Sequence, residues 1–211
     1  MHPVGAFVRW VVLACTWWCF VRSASLACED LIRPLDGMEA GLLAGRWALI
    51  SGGFIDPAKL SYFNRRDSAS IDVSVSPGGD ISYTPRVHME GKCHSSTHNV
   101  TLEGSALRFR DKSNITVTLV YTSCQDCLLL RFDDDGDNTV MRAYLFSRRR
   151  EVTEEEKAEF TTQAACLNML PPVLDIHGYI FPNSPSMLWC TFPKLISPKF
   201  EIWTLAEPEL P

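Results

Sequence analysis

Between Arg46 and Ser147 apolar side chains recur at every second position in short runs, and each run ends in a turn signal. A chain patterned in this way is confined to antiparallel sheet, because side chains of a strand alternate between two faces and only one of these faces is apolar. Ile71, Val73 and Val75 alternate with Asp72, Ser74 and Ser76. Ile81, Tyr83, Pro85, Val87 and Met89 alternate with Ser82, Thr84, Arg86 and His88, and Ile115, Val117, Leu119 and Tyr121 alternate with Thr116, Thr118 and Val120. Over Thr139–Ser147 the residues Val140, Arg142, Tyr144 and Phe146 share one face. Pro77-Gly78-Gly79, Glu90-Gly91, Glu103-Gly104 and Asp135-Gly136 are spaced to join neighbouring strands by short hairpins, so the topology is up and down. Eight such strands closing on themselves remove the exposed edges of a flat sheet and leave room for side chains and one small ligand. The predicted fold class is therefore an all-β, eight-stranded up-and-down antiparallel barrel, with a two-sheet sandwich as the alternative. The alternation points Tyr83, Val87, Val100, Leu119, Tyr121, Tyr144 and Phe146 inward, as an apolar cup with a few hydroxyls or as plain core.

After Arg150 the period lengthens. Thr153 followed by Glu156 is a capping-box pattern, Glu154 to Glu156 suit the positive end of a helix dipole, and Phe160, Ala164 and Leu167 fall on one face. One amphipathic helix, about Glu154 to Asn168, is expected to pack outside the barrel.

The first 27 residues hold no acid, one early Arg9, an apolar stretch from Trp10 to Val21 and small residues before Cys28. This is the layout of a secretory signal peptide, cleaved before Cys28 or after Ser25, and its apolar stretch of about 12 residues falls short of the ~20 that cross a bilayer as a helix. The expected organisation is a signal peptide over 1–27, one domain over 28–190 and a tail over 191–211 with no assigned role. Loss of Arg9 and Arg22 takes the formal charge from −5 to −7, which argues against a nucleic-acid partner. The eight cysteines become six without Cys15 and Cys19, an even number that can pair in an oxidising compartment. Asn99-Val100-Thr101 and Asn114-Ile115-Thr116 are glycosylation sequons compatible with that route. The chain is expected to be extracellular, with no transmembrane anchor.

Other constellations read as structural. Asp133, Asp134, Asp135 and Asp137 resemble a calcium loop only superficially, since counting from Asp133 puts Asn138 and Tyr144 where Gly and Glu are needed; a solvated hairpin turn is expected. Arg148-Arg149-Arg150, lying just before an acidic helix start, reads as a solvated connection with local charge pairing. No Ser, His and acid fall in a nucleophile elbow, and no zinc motif is present. Neither catalytic residues nor a metal or cofactor are expected.

Leu43-Ala44-Gly45-Arg46-Trp47 places a Gly-x-Trp before the first strand, and with Cys28 upstream, the eight-strand pattern, the helix and Cys166 in that order the chain resembles the lipocalins. Gly91-Lys92-Cys93, Tyr121-Thr122-Ser123-Cys124 and the run Glu155 to Cys166 are most similar to the group containing apolipoprotein M, alpha-1-acid glycoprotein and the saxitoxin- and tetrodotoxin-binding proteins of fishes. The resemblance implies disulfides Cys28 with Cys166 and Cys93 with Cys190, and a structural barrel base at Gly45 and Trp47, with Trp47 plugging the closed end. It implies that Arg142 helps hold the charged head of a lipid, the alternatives being an internal pair or an arginine packed across Trp47. His98 stands at an aromatic pocket position, although the basic residue that precedes it in the group is Ser96 here. Cys124-Gln125-Asp126-Cys127 then remains as a pair, read as a closed local disulfide, with redox or zinc chemistry as the alternative. The prostaglandin-synthesising lipocalin uses a cysteine on an early strand, and none lies between Gly45 and Lys92. The function implied is a secreted carrier of a small lipophilic or amphipathic molecule. The alternative is an extracellular interaction or defence protein with a filled barrel that works through its loops.

Overall fold

A sheet with one apolar face hides that face best by closing, and here the first and last long strands meet. The computed structural model describes residues 28–136, 139–149 and 151–174. The strands are β1 (Gly45–Phe54), β2 (Arg66–Val75), β3 (Ile81–Met89), β4 (Lys92–Ser95), β5 (His98–Glu103), β6 (Ala106–Phe109), β7 (Lys112–Val120), β8 (Cys127–Asp134), β9 (Thr139–Ser147) and β10 (Val173–Leu174). Neighbours pair antiparallel in chain order from β1 to β9, except that β4 pairs only with the far half of β3 and β5 with its near half. Together β4 and β5 make one broken strand. Pairing of β1 with β9, from Ala48 with Ser147 to Phe54 with Arg142, closes an eight-stranded barrel and rules out the sandwich. The strand β10 is an addition that pairs with Ser51 and Gly52 of β1.

The four turn signals lie in the connections β2–β3, β3–β4, β5–β6 and β8–β9. Interior side chains including Ile71, Val117, Leu119, Leu130 and Phe132 form the main core. A second apolar layer lies outside, where Ile50, Val120, Leu129, Ala143 and Leu145 meet Phe160, Ala164 and Leu167. These two layers explain the unbroken Leu128-Leu129-Leu130 run of β8: Leu128 and Leu130 belong to the interior and Leu129 to the covered outer face.

Three helices are used below: α1 (Ala40–Leu43), α2 (Pro57–Phe63) and α3 (Glu154–Cys166). The helix α3 starts where expected, with the Thr153 hydroxyl accepting from the Glu156 N–H at 3.3 Å and the Glu156 carboxylate accepting from the Thr153 N–H at 2.8 Å. It ends two residues early, at Cys166, because Leu167 caps it and Asn168 turns at φ 57°. Its end is tied to the start of the domain by the Cys28–Cys166 disulfide. Among the described residues no helix is long and apolar enough to cross a membrane.

Two inward assignments fail, each where the regular ladder stops. Tyr121 is exposed, with the Arg33 guanidinium 4.2 Å over its ring. The strand β7 ends one residue earlier, and the Tyr121 N–H donates to the Arg33 carbonyl instead of to the sheet. Val140 packs against the outer cluster and Met141 against the interior, because a bulge between the Phe132 and Asp133 pairs shifts the register of β9.

Candidate functional site

The ends of the barrel are built differently. At the end where β1 begins, Gly45 adopts φ +113°, a conformation side chains disfavour, and turns the chain from α1 into the barrel. Trp47 follows, buried, its indole N–H donating to the Leu43 carbonyl at 2.9 Å. The Arg148 guanidinium lies 4.1 Å over the Trp47 ring and donates to the Leu42 and Ala44 carbonyls at 2.7 and 2.8 Å. Arg148 is thus exposed, as expected of a solvated connection, but it also packs over Trp47, which its Arg-Arg-Arg run did not announce. It also occupies the place over Trp47 that was one alternative for Arg142. Arg149 does pair locally, with Glu156 at 2.6 Å, and Arg150 lies outside the described residues.

At the other end an aromatic cluster surrounds two guanidiniums. Pairing places Phe54 of β1, Arg142 of β9 and Phe132 of β8 side by side, with Gly52, Tyr144 and Leu130 in the next inward row. Side chains of directly paired residues share a face, so this is an interior patch. The connection β1–β2 carries α2 over it. Asp56 caps that helix by accepting from the Ala58 N–H at 2.8 Å, Pro57 sits at its first turn, and Phe63 at its end is buried. The Phe63 ring stacks on Tyr144, with centroids 5.6 Å apart and planes 13° apart, and lies 4.9 Å from the Phe54 ring. Gly52 makes this possible, since a Cβ there would stand 2.4 Å from Phe63 Cζ.

Arg142 is 5% exposed, with its guanidinium 4.9 Å from the Phe132 centroid and 5.8 Å from that of Tyr144. Its Nε is buried without a hydrogen-bond partner. Arg66 enters from β2, 4.8 Å over Phe63, and donates weakly to the Tyr144 hydroxyl at 3.5 Å; its Nε is likewise buried and unpartnered. Among the described residues no carboxylate pairs with either guanidinium. Aromatic faces recover part of the desolvation cost of a guanidinium, and a counter-anion would recover more. Burial pushes the Tyr83 hydroxyl well above its ordinary range, nearby Tyr144 adds to the rise, and Arg142 opposes it. Tyr83 thus remains a neutral hydroxyl within the field of Arg142.

Sequence reasoning missed Arg66 and Phe63. Extending the alternation back from Ile71 turns Arg66 outward, but a bulge between the Arg66 and Ser68 pairs reverses the parity. The aspartate that caps α2 and the proline behind it were the available signal for a helix at this mouth.

Of the residues expected in the cup, Tyr83, Val100, Leu119, Tyr144 and Phe146 lie in the interior cluster. Val87 is half-buried, between Ala69 of β2 and His94 of β4. His98 is buried with its ring 5.6 Å from that of Phe109, Nδ1 2.7 Å from Asp111 and Nε2 2.8 Å from the Ser96 hydroxyl. Asn99 and Asn114 are exposed. Cys124 and Cys127 are bonded to each other; Cys93 is disulfide-bonded, and its expected partner Cys190 lies outside the described residues. In the acidic turn, Asp133 accepts from Arg131 at 3.0 Å and Asp135 from Thr116 at 2.8 Å, while Asp137 lies outside the described residues. Among the described residues no group of three acidic, His or Cys side chains is placed to hold a metal.

No protein-family model matches the chain, and no curated protein matches it in sequence. The fold does match solved structures. One is the siderocalin Ex-FABP, described as functioning through dual ligand specificities. The chain is 15% identical to it with a TM-score of 0.54, and the match covers 63% of this chain and 93% of that one. At that identity the likeness concerns the fold, which is the lipocalin barrel with its helix packed outside.

Proposed function

We propose that the chain is a secreted carrier that holds one small amphipathic molecule in its barrel, with the anionic or polar end of the molecule at Arg142. The signal peptide over 1–27, the single domain over 28–190, the disulfides and the exposed sequons at Asn99 and Asn114 belong to this reading. Its work is binding and release, with no covalent step. The observation that carries it is the buried, unpartnered Nε of Arg142 within an apolar barrel. An uncompensated internal charge is costly, and an anionic ligand group supplies the compensation that the chain itself does not.

The test compares two ligands of equal shape, a long-chain fatty acid and its alcohol, by quenching of tryptophan fluorescence. Arg142→Ala should weaken the acid by about 10-fold to 150-fold, the equivalent of a charge-assisted hydrogen bond worth roughly 1.5 to 3 kcal/mol. The alcohol should lose much less, because it relies on area removed from water. Equal losses, measured on variants shown to be folded, would return Arg142 to a structural role.

One observation favours a second reading, in which the barrel is filled and the loops do the work: Phe54, Phe63, Phe132 and Tyr144 already pack ring against ring. Graded binding that never saturates at one molecule per chain would support that reading over the carrier.

A further inference from the structure

The turn joining β7 to β8 carries a disulfide that the carrier reading does not use. Cys124 is buried at 3% exposure and Cys127 is half-buried. Cys127 pairs with Ser147, which pairs in turn with Ala48, so the turn lies at the Trp47 end of the barrel, away from Arg142. It is clamped to α3, because the Glu159 carboxylate accepts from the Ser123 N–H, the Ser123 hydroxyl and the Thr122 hydroxyl. The Gln163 amide adds a bond to the Tyr121 carbonyl at 2.8 Å.

Into this turn reaches Arg149, whose Nη2 lies 2.9 Å from Cys124 Sγ. The same nitrogen is 2.6 Å from Glu156 Oε1, and Asp126 stands 3.7 Å from Nε. These two carboxylates are the charged groups within 4 Å of the guanidinium among the described residues, one from the turn and one from α3. Among the described residues no cation pairs with Cys127. The two sulfurs therefore differ: one is buried beside a cationic donor, and the other is more open and lacks one. In thiol–disulfide exchange the rate rises with access to the attacked sulfur and with the stability of the departing thiolate.

We propose that Cys124–Cys127 is a thiol-exchange site for small monothiols of the glutathione class, with Cys127 attacked and Cys124 leaving. The external thiolate forms a bond to Cys127 Sγ while the Cys124–Cys127 bond breaks, and its electron pair departs on Cys124 as a thiolate that accepts from Arg149. One disulfide is replaced by another at this step. A second external thiolate attacking the mixed disulfide would complete a two-electron reduction, releasing the external disulfide and leaving both protein thiols. Because the Cys28–Cys166 bond ties α3 down independently, the turn can open while the barrel stays closed.

The test uses the full oxidised chain incubated with glutathione near neutral pH, quenched with acid, alkylated and mapped by mass spectrometry. Glutathione should appear first on Cys127, with Cys124 alkylated and Cys28–Cys166 intact. Arg149→Ala should slow opening about tenfold, and Arg149→Lys should recover much of the rate. A tenfold change in the corresponding equilibrium constant is about 30 mV. Glu156→Gln keeps the helix cap while removing a competing carboxylate, and should open no more slowly than the natural chain. If Arg149 only holds the turn in place, Arg149→Ala would loosen it and speed opening, which overturns the proposal. So would glutathione on Cys124, opening only together with Cys28–Cys166, or slower opening of Glu156→Gln.

Discussion

At the Trp47 end of the barrel the Arg148 guanidinium lies over Trp47 and donates to the carbonyls of Leu42 and Ala44; toward the other end, which α2 covers, the Arg142 guanidinium lies over Phe132 and Tyr144 with its Nε unpartnered. Both use the face of a ring, but Arg148 is exposed and its Nη2 donates to two backbone carbonyls, whereas Arg142 is buried with its Nε unanswered. A cation whose donors are matched by carbonyls contributes to stability. A buried one with its Nε unanswered sits in a site that stability alone would not select, since an apolar replacement there removes a desolvation cost. On the function proposed above, the difference separates a residue that builds the barrel from one that would meet its ligand.

Three measurements bear on that contrast. Trp47→Ala removes a buried indole and its bond to Leu43, and should lower stability by about 3 to 5 kcal/mol, seen as a fall in the denaturant midpoint. The molecules that remain folded should keep their preference between acid and alcohol. Arg148→Ala should cost about 1 kcal/mol, from a lost ring contact and two hydrogen bonds at an exposed position. Arg142→Met should change stability by less than about 1 kcal/mol or raise it; a loss as large as that of Arg148→Ala would erase the distinction.

A further measurement concerns Tyr83. Its folded-state pKa is raised, first by burial, above the ordinary value of 10.0. The folded chain then holds its proton longer than the unfolded chain, so the contribution is complete below pH 10 and is lost as pH rises above it, by at most about 1.4 kcal/mol per pH unit. Urea midpoints at pH 9 and pH 11 should fall further for the natural chain than for Tyr83→Phe. Equal falls would place the alkaline sensitivity elsewhere.

Most of the barrel was legible because period-two alternation and turn chemistry are local signals. The residues 81–89 and 139–147 were delimited as strands, and the Thr153–Glu156 cap marked the start of α3 to the residue. What alternation cannot show is where a ladder slips. The bulge beside Arg66 turned that side chain inward, the one on β9 turned Val140 outward, and the early end of β7 left Tyr121 outside. The site is harder to read than the fold, since it depends on these irregularities and on Phe63 reaching the space that Gly52 leaves open. The role of Arg148 was hidden for a different reason: three consecutive arginines carry no mark of which one meets Trp47.

The Cys28–Cys166 bond has a sequence separation of 138, and the Cys124–Cys127 bond one of 3. As the chain emerges during synthesis, Cys28 must wait for nearly the whole barrel before its partner exists. Cys93, Cys124 and Cys127 all arrive in the interval as wrong partners. A contact three residues apart is met on the timescale of local loop closure, tens of nanoseconds, far ahead of any contact across the barrel. In an oxidising compartment the short bond therefore withdraws two of the three competitors from circulation, and the long bond is left with a simpler choice when Cys166 finally appears.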